Sequence, residues 1–150
     1  MSFKLHVDAD SWFSHIENKG MVKSKFDKWY LCLLVGLLSK ESTSEDINKE
    51  AFIQSFIQDY QGHKYQIIGY FLSTIMSDNV IDLDNRNALE NETAKYLNAD
   101  SETRLSSEGH ERLNEYAAQG FNIIRNEISD IPRDHYQFAL NYCALINKLN

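Results

Sequence analysis

From Trp29 to Leu38 the chain runs through ten residues, WYLCLLVGLL, without a charge or a strongly polar side chain. A membrane-spanning helix needs roughly 20 such residues, so this stretch reads as a core element. With Phe26 added, it predicts a helix over Phe26–Leu38 that is apolar almost all round, and such a helix has to be enclosed by others. Ser24 followed by Asp27 imitates a capping box at its start, and Gly36 would let a neighbouring backbone approach closely. The expectation is an all-α fold, with residues 1–150 forming a single domain built as an irregular or orthogonal bundle of about five to seven helices.

The rest of the chain supplies candidates for the enclosing helices. Trp12, Phe13 and Ile16 fall together on a short amphipathic segment around Asp10–Glu17, which Gly20 ends. Lys40–Asp46 reads as a polar turn offering Ser42, Thr43 and Ser44 as caps. Ile47, Phe52, Ile53, Phe56, Ile57 and Tyr60 follow at helical spacing. A next stripe holds Tyr65, Ile68, Phe71, Leu72, Ile75 and Met76. Val80–Leu83 is short, β-branched and a candidate extended piece, after which Asp84 would cap a helix from about Asn85 to Leu97. Ser106 or Ser107 caps the clearest amphipathic helix, whose inner line runs Leu113, Tyr116, Ala117, Gly120, Phe121, Ile124 and Ile128. Pro132 suits the first turn of a last helix, with Tyr136, Ala139, Tyr142, Cys143, Ile146 and Leu149 inward.

Charge is uneven. The net value of −7 divides into +2 over residues 1–40, −8 over 41–102 and −1 over 103–150. An acidic middle argues against a surface that wraps nucleic acid. One local exception is Lys19, Lys23, Lys25 and Lys28, beside Trp29 and Tyr30. These lysines are candidate nucleic-acid contacts, although Glu17 and Asp27 dilute them, and lysines alone would hold phosphates without reading bases.

The residue patterns of common chemistries are missing. The five histidines form no HExxH or other tight ligand pair. Position 114, where a second histidine would follow His110–Glu111, is Asn, so His110 reads as a solvated helix residue. An EF-hand placed with Asp82 first puts Arg86 at its fifth position and has no glycine at the sixth. There is neither a GxSxG nor a glycine-rich phosphate loop. Cys32 and Cys143 show no CxxC spacing and read as buried hydrophobes. His135 and Cys143 lie eight residues apart, about 12 Å along a helix, too far for direct contact. No cofactor and no metal site is therefore expected. A dispersed carboxylate/histidine site, drawn from Asp8, Asp10, His15, Arg133, Asp134 and His135, is the enzymatic alternative: a small hydrolase or nuclease. The first ten residues have no apolar core of a signal peptide, so the expectation is a cytoplasmic chain off the membrane.

Two stretches resemble a known group. Phe26-Asp27-Lys28-Trp29-Tyr30 with the apolar run to Gly36, and Glu115-Tyr116-Ala117-Ala118-Gln119-Gly120-Phe121, are similar to segments of small helical proteins of bacterial DNA-phosphorothioation (Dnd-type) and related anti-phage defence loci. The resemblance covers two core-packing windows and carries no catalytic residue. It implies a non-enzymatic accessory subunit beside a larger ATPase or nuclease. On this reading the chain is an adaptor that contacts a larger partner or itself, with Trp12, Tyr30, Tyr60 and Tyr65 as candidate interface aromatics.

Overall fold

Ser24 accepts a hydrogen bond from the Asp27 amide at 3.1 Å, and the Asp27 carboxylate returns one to the Ser24 amide at 3.1 Å. This reciprocal cap starts a helix at Lys25–Ser39, which ends where Lys40 turns into the left-handed region. The computed structural model describes residues 1–44 and 49–150. In order, the elements are β1 (Phe3–His6), α1 (Ala9–Trp12), α2 (Lys25–Ser39), β2 (Lys49–Ile53), α3 (Lys64–Asp78), α4 (Arg86–Tyr96), α5 (Ser107–Glu127) and α6 (His135–Leu149). Short 3-10 turns at Ser14–Ile16 and Gln58–His63 lie between them.

The expected central helix is α2, and its main partner is α5. The Ser106 hydroxyl caps α5 through the Gly109 amide at 3.0 Å. The two helices cross with backbone against backbone. A Cβ at Gly36 would lie 1.9 Å from the Tyr116 carbonyl oxygen, and one at Gly120 would lie 1.7 Å from that of Cys32. Around this crossing, Trp29, Leu33, Phe71, Leu113, Tyr116 and Phe121 join one buried cluster that runs from Phe3 to Leu145.

The fold is mainly helical but not purely so. β1 and β2 pair antiparallel, with an irregularity between Phe3 and Lys4. β1 buries Phe3 and Leu5 on the core, and the Phe3 ring meets Phe26, Trp29 and Phe56 at 5.3, 4.8 and 5.0 Å. Buried Asn114 of α5 holds it there: its side-chain oxygen accepts from the Lys4 amide and the Trp29 indole, while its amide donates to the Ser2 carbonyl. This replaces the helix expected through Phe52, Ile53, Phe56, Ile57 and Tyr60, since a short apolar run fits either period and pairing with β1 decides it. Ile47, from the same stripe, lies outside the described residues.

Three further expectations change. Val80–Leu83 is a turn, with Val80 at φ 52° and 87% exposed. The cap of α4 is Asn85, whose side chain accepts from the Ala88 amide at 3.1 Å; Asp84 lies one residue outside. Helix α6 begins at His135, capped by Asp134, and Pro132 precedes it. It is also rotated: Phe138, Tyr142 and Leu145 face inward, whereas Tyr136 and Cys143 are exposed. Apolar residues cover more than one face of α6, and the Tyr142 hydroxyl, donating to the Leu31 carbonyl at 2.7 Å, accompanies the observed rotation. Among the described residues, no helix is long and apolar enough to cross a membrane.

Candidate functional site

Of the lysine cluster, Lys19 and Lys23 are exposed and Lys25 is paired with Asp10 at 3.1 Å. Lys28 is 2% exposed, and its ammonium lies against the Asp10 carboxylate at 2.8 Å and against Glu17. Burial would raise the Asp10 pKa, but hydrogen bonds from Lys28 and Lys25 outweigh it and hold the carboxyl below its usual range. A phosphate would have to displace these carboxylates from two of the four lysines. Lys28 is therefore a neutralised core cation, which corrects its reading as a nucleic-acid contact.

The three carboxylates of the dispersed acid–base set are occupied elsewhere, while His15 and Arg133 are exposed. Asp8 pairs with Arg125 at 2.9 Å, Asp10 serves the lysines, and Asp134 caps α6. His135 packs over Gly20, where a Cβ would lie 2.7 Å from its Nδ1. Among the described residues, no group of three His, Cys, Asp or Glu side chains could hold a metal ion. Buried Cys32 has its thiol pushed well up by desolvation. Cys143, expected inside, is exposed.

His110, expected to be solvated, is buried at 3% exposure, and its Nε2 lies 2.8 Å from the Thr103 hydroxyl. Desolvation and the nearby N-terminal amino group push its pKa down to about 4, against a small upward pull from the Ser2 backbone. The ring packs 5.0 Å from Phe3, so its role is in the core.

The interface aromatics separate into three environments. Trp12 is buried against Phe13, Phe121 and Phe138, which removes it from any surface. Tyr65 is 64% exposed at the start of α3. Tyr30 and Tyr60 meet edge-to-face at 5.1 Å on one cleft of about 430 Å³ between α2 and α3. Leu33, Leu34, Leu37 and Ile67 form its apolar part, and Tyr70, His63 and Gln66 also line it, the last two 3.3 Å apart between Nδ1 and Oε1. The Tyr60 hydroxyl donates to Asp27, the same carboxylate that caps α2. Burial raises the phenol pKa of Tyr30 and Tyr70; for Tyr60 burial comes first and the Asp27 bond adds to it. All three are therefore neutral at pH 7.

Sequence reasoning missed Tyr70, His63 and Gln66. The signal was their spacing: 63, 66, 67 and 70 recur at three and four residues, one face of a helical turn running into α3.

A second surface lies on α6. Tyr136 and Leu140 are 72% and 67% exposed, and Cys143 continues the same i, i+4, i+7 line. Beside it an open groove of about 890 Å³ runs between α6 and residues 127–134, with Phe138 and Leu145 in its wall.

No protein-family model matches the sequence, and comparisons with curated proteins and with solved structures find no match.

Proposed function

We propose that this chain is a non-enzymatic accessory subunit that seats a larger protein partner on the outward face of α6. The observation that carries the reading is the uncharged apolar line Tyr136–Leu140–Cys143 on a chain whose net charge is −7. Large aromatic and aliphatic side chains with few charges mark the centre of protein interfaces. The adjoining groove, with Arg133 and Lys148 among its lining residues, supplies a polar rim. The resemblance in α2 and α5 adds the kind of partner: an ATPase or nuclease of an anti-phage defence or DNA-modification complex in the bacterial cytoplasm.

The test is tagged purification from the host, with and without nuclease treatment, followed by mass spectrometry. A stoichiometric ATPase or nuclease that survives nuclease treatment, and is lost with Leu140→Glu, supports the reading. Recovery of the tagged chain with only its own copies would replace it with self-association. Partners that vanish with the nucleic acid would overturn it in favour of binding through Lys19 and Lys23.

A further inference from the structure

We propose that the cleft between α2 and α3 is a binding site for a small, uncharged aromatic molecule. This goes beyond the adaptor reading, which rests on α6 alone. At about 430 Å³ the cleft falls within the range of ligand pockets, and it combines an apolar interior with a few polar groups, as such pockets do.

The absence of charge in its lining decides what it takes. No Lys, Arg, Asp or Glu lines the cleft, and its one histidine, His63, has its Nδ1 3.3 Å from the Gln66 side-chain oxygen. An ionic group entering it would lose hydration without gaining a counter-charge, so the ligand is neutral. The aromatic wall decides the shape. Tyr60 is held by its hydrogen bond to Asp27, and Tyr30 stands edge-to-face against it. A wall fixed in advance loses little side-chain freedom on binding. Phenol rings in this setting favour a further ring packed edge-on or offset.

The polar anchors are the hydroxyls of Tyr30 and Tyr70. Among the described residues neither has a protein hydrogen-bond partner, whereas those of Tyr60, Tyr116 and Tyr142 are each bonded to a carboxylate or carbonyl. Each is a neutral phenol that both donates and accepts. A ring bearing one N–H or O–H group therefore meets hydroxyls able to pair with it beside an apolar floor.

Indole is the probe. Its titration into the intact chain, followed by backbone amide chemical shifts, is expected to saturate with Kd on the order of 0.1–1 mM, fitting for so small a ligand. The shifts should concentrate on residues 30–37 and 60–70. Tyr30→Phe and Tyr70→Phe keep the rings; indole has one N–H to give to one hydroxyl, so one of the two variants should weaken binding about threefold to tenfold and the other leave it nearly unchanged. Tyr65→Phe, on α3 but outside the cleft, should leave it unchanged. Indole-3-acetate and tryptamine should bind at least about tenfold more weakly than indole, because their charges find no partner. Shifts that do not saturate, undiminished affinity in both Phe variants, or equal binding of the charged analogues would overturn the proposal. So would a cleft that responds only to an apolar peptide, which would make it a docking groove instead.

Discussion

Replacing Gly120 and Gly69 by alanine should move stability in opposite directions, although both glycines lie within helices. In a helix interior, Gly→Ala is favourable by about 0.8–1 kcal/mol. At Gly69 nothing lies within 4 Å of the new methyl group, so most of that gain should appear. At Gly120 the methyl would sit 1.7 Å from the Cys32 carbonyl oxygen and 2.8 Å from the Gly36 amide nitrogen. Both obstacles are backbone, so no side chain can swing away and the helices must separate by more than an ångström. Overpacking typically costs 1–3 kcal/mol, and a contact this close belongs at or above the upper end, leaving a net loss of about 2–3 kcal/mol. For a chain of this size that corresponds to a fall of roughly 4–12 °C in Tm, against a rise of about 1–4 °C for Gly69→Ala. Gly36→Ala meets the Tyr116 carbonyl at the same crossing. One separation of the helices relieves both clashes, so Gly36→Ala/Gly120→Ala should cost less than the sum of its parts. Urea unfolding followed by circular dichroism, with calorimetry for Tm, provides the readout. A Gly120→Ala protein as stable as the parent would refute the backbone contact between α2 and α5.

His110 predicts acid sensitivity. Its folded pKa of about 4 lies below the ordinary 6.5, so its contribution is complete above pH 6.5 and is lost as pH falls toward 4. Over that window the loss approaches about 3 kcal/mol, and urea melts from pH 7 to 4 should show a shallower slope for His110→Gln. At the buried lysine, Lys28→Met should change stability by no more than about 1 kcal/mol, because Asp10 and Glu17 are 42% and 45% exposed and regain water. Asp10→Asn/Glu17→Gln instead strands a buried ammonium and should cost about 3 kcal/mol or more in the same melts. With a maleimide or aromatic disulfide reagent, the native protein should titrate one thiol, Cys143, and Cys32 should react only after denaturation. Two thiols reacting at similar rates in the native protein would contradict the burial of Cys32.

Legibility in the sequence followed the strength of local signals. Helices α2 and α5 could be read because an apolar pattern, a serine cap and a close-contact glycine agree within each. β1 spans only Phe3–His6 and depends on Asn114, more than a hundred residues away, so nothing local announces it. β2 shows the converse failure, a short apolar run whose partner decides its conformation. Lysine and histidine are ordinarily surface residues, and the burial of Lys28 and His110 comes from carboxylates and hydroxyls supplied by other segments. The cleft was half visible. Tyr30 and Tyr60 stood out as aromatics, but only the packing of α3 beside α2 brings Tyr70 to them.

The glycine-mediated crossing of α2 and α5 also sets an order of events during synthesis. The most apolar helix of the chain is made early, yet the surface that covers it at Tyr116 and Gly120 arrives about 80 residues later. At 5–20 residues per second, that leaves α2 without its partner for roughly 4–16 s on the ribosome. Through that interval the face of α2 at Cys32 and Gly36, which α5 covers at the crossing, is open to any other apolar surface. A nascent chain stalled before residue 107 should therefore hold a chaperone far longer than one stalled beyond 127, and the interval when this protein most needs help ends as α5 emerges.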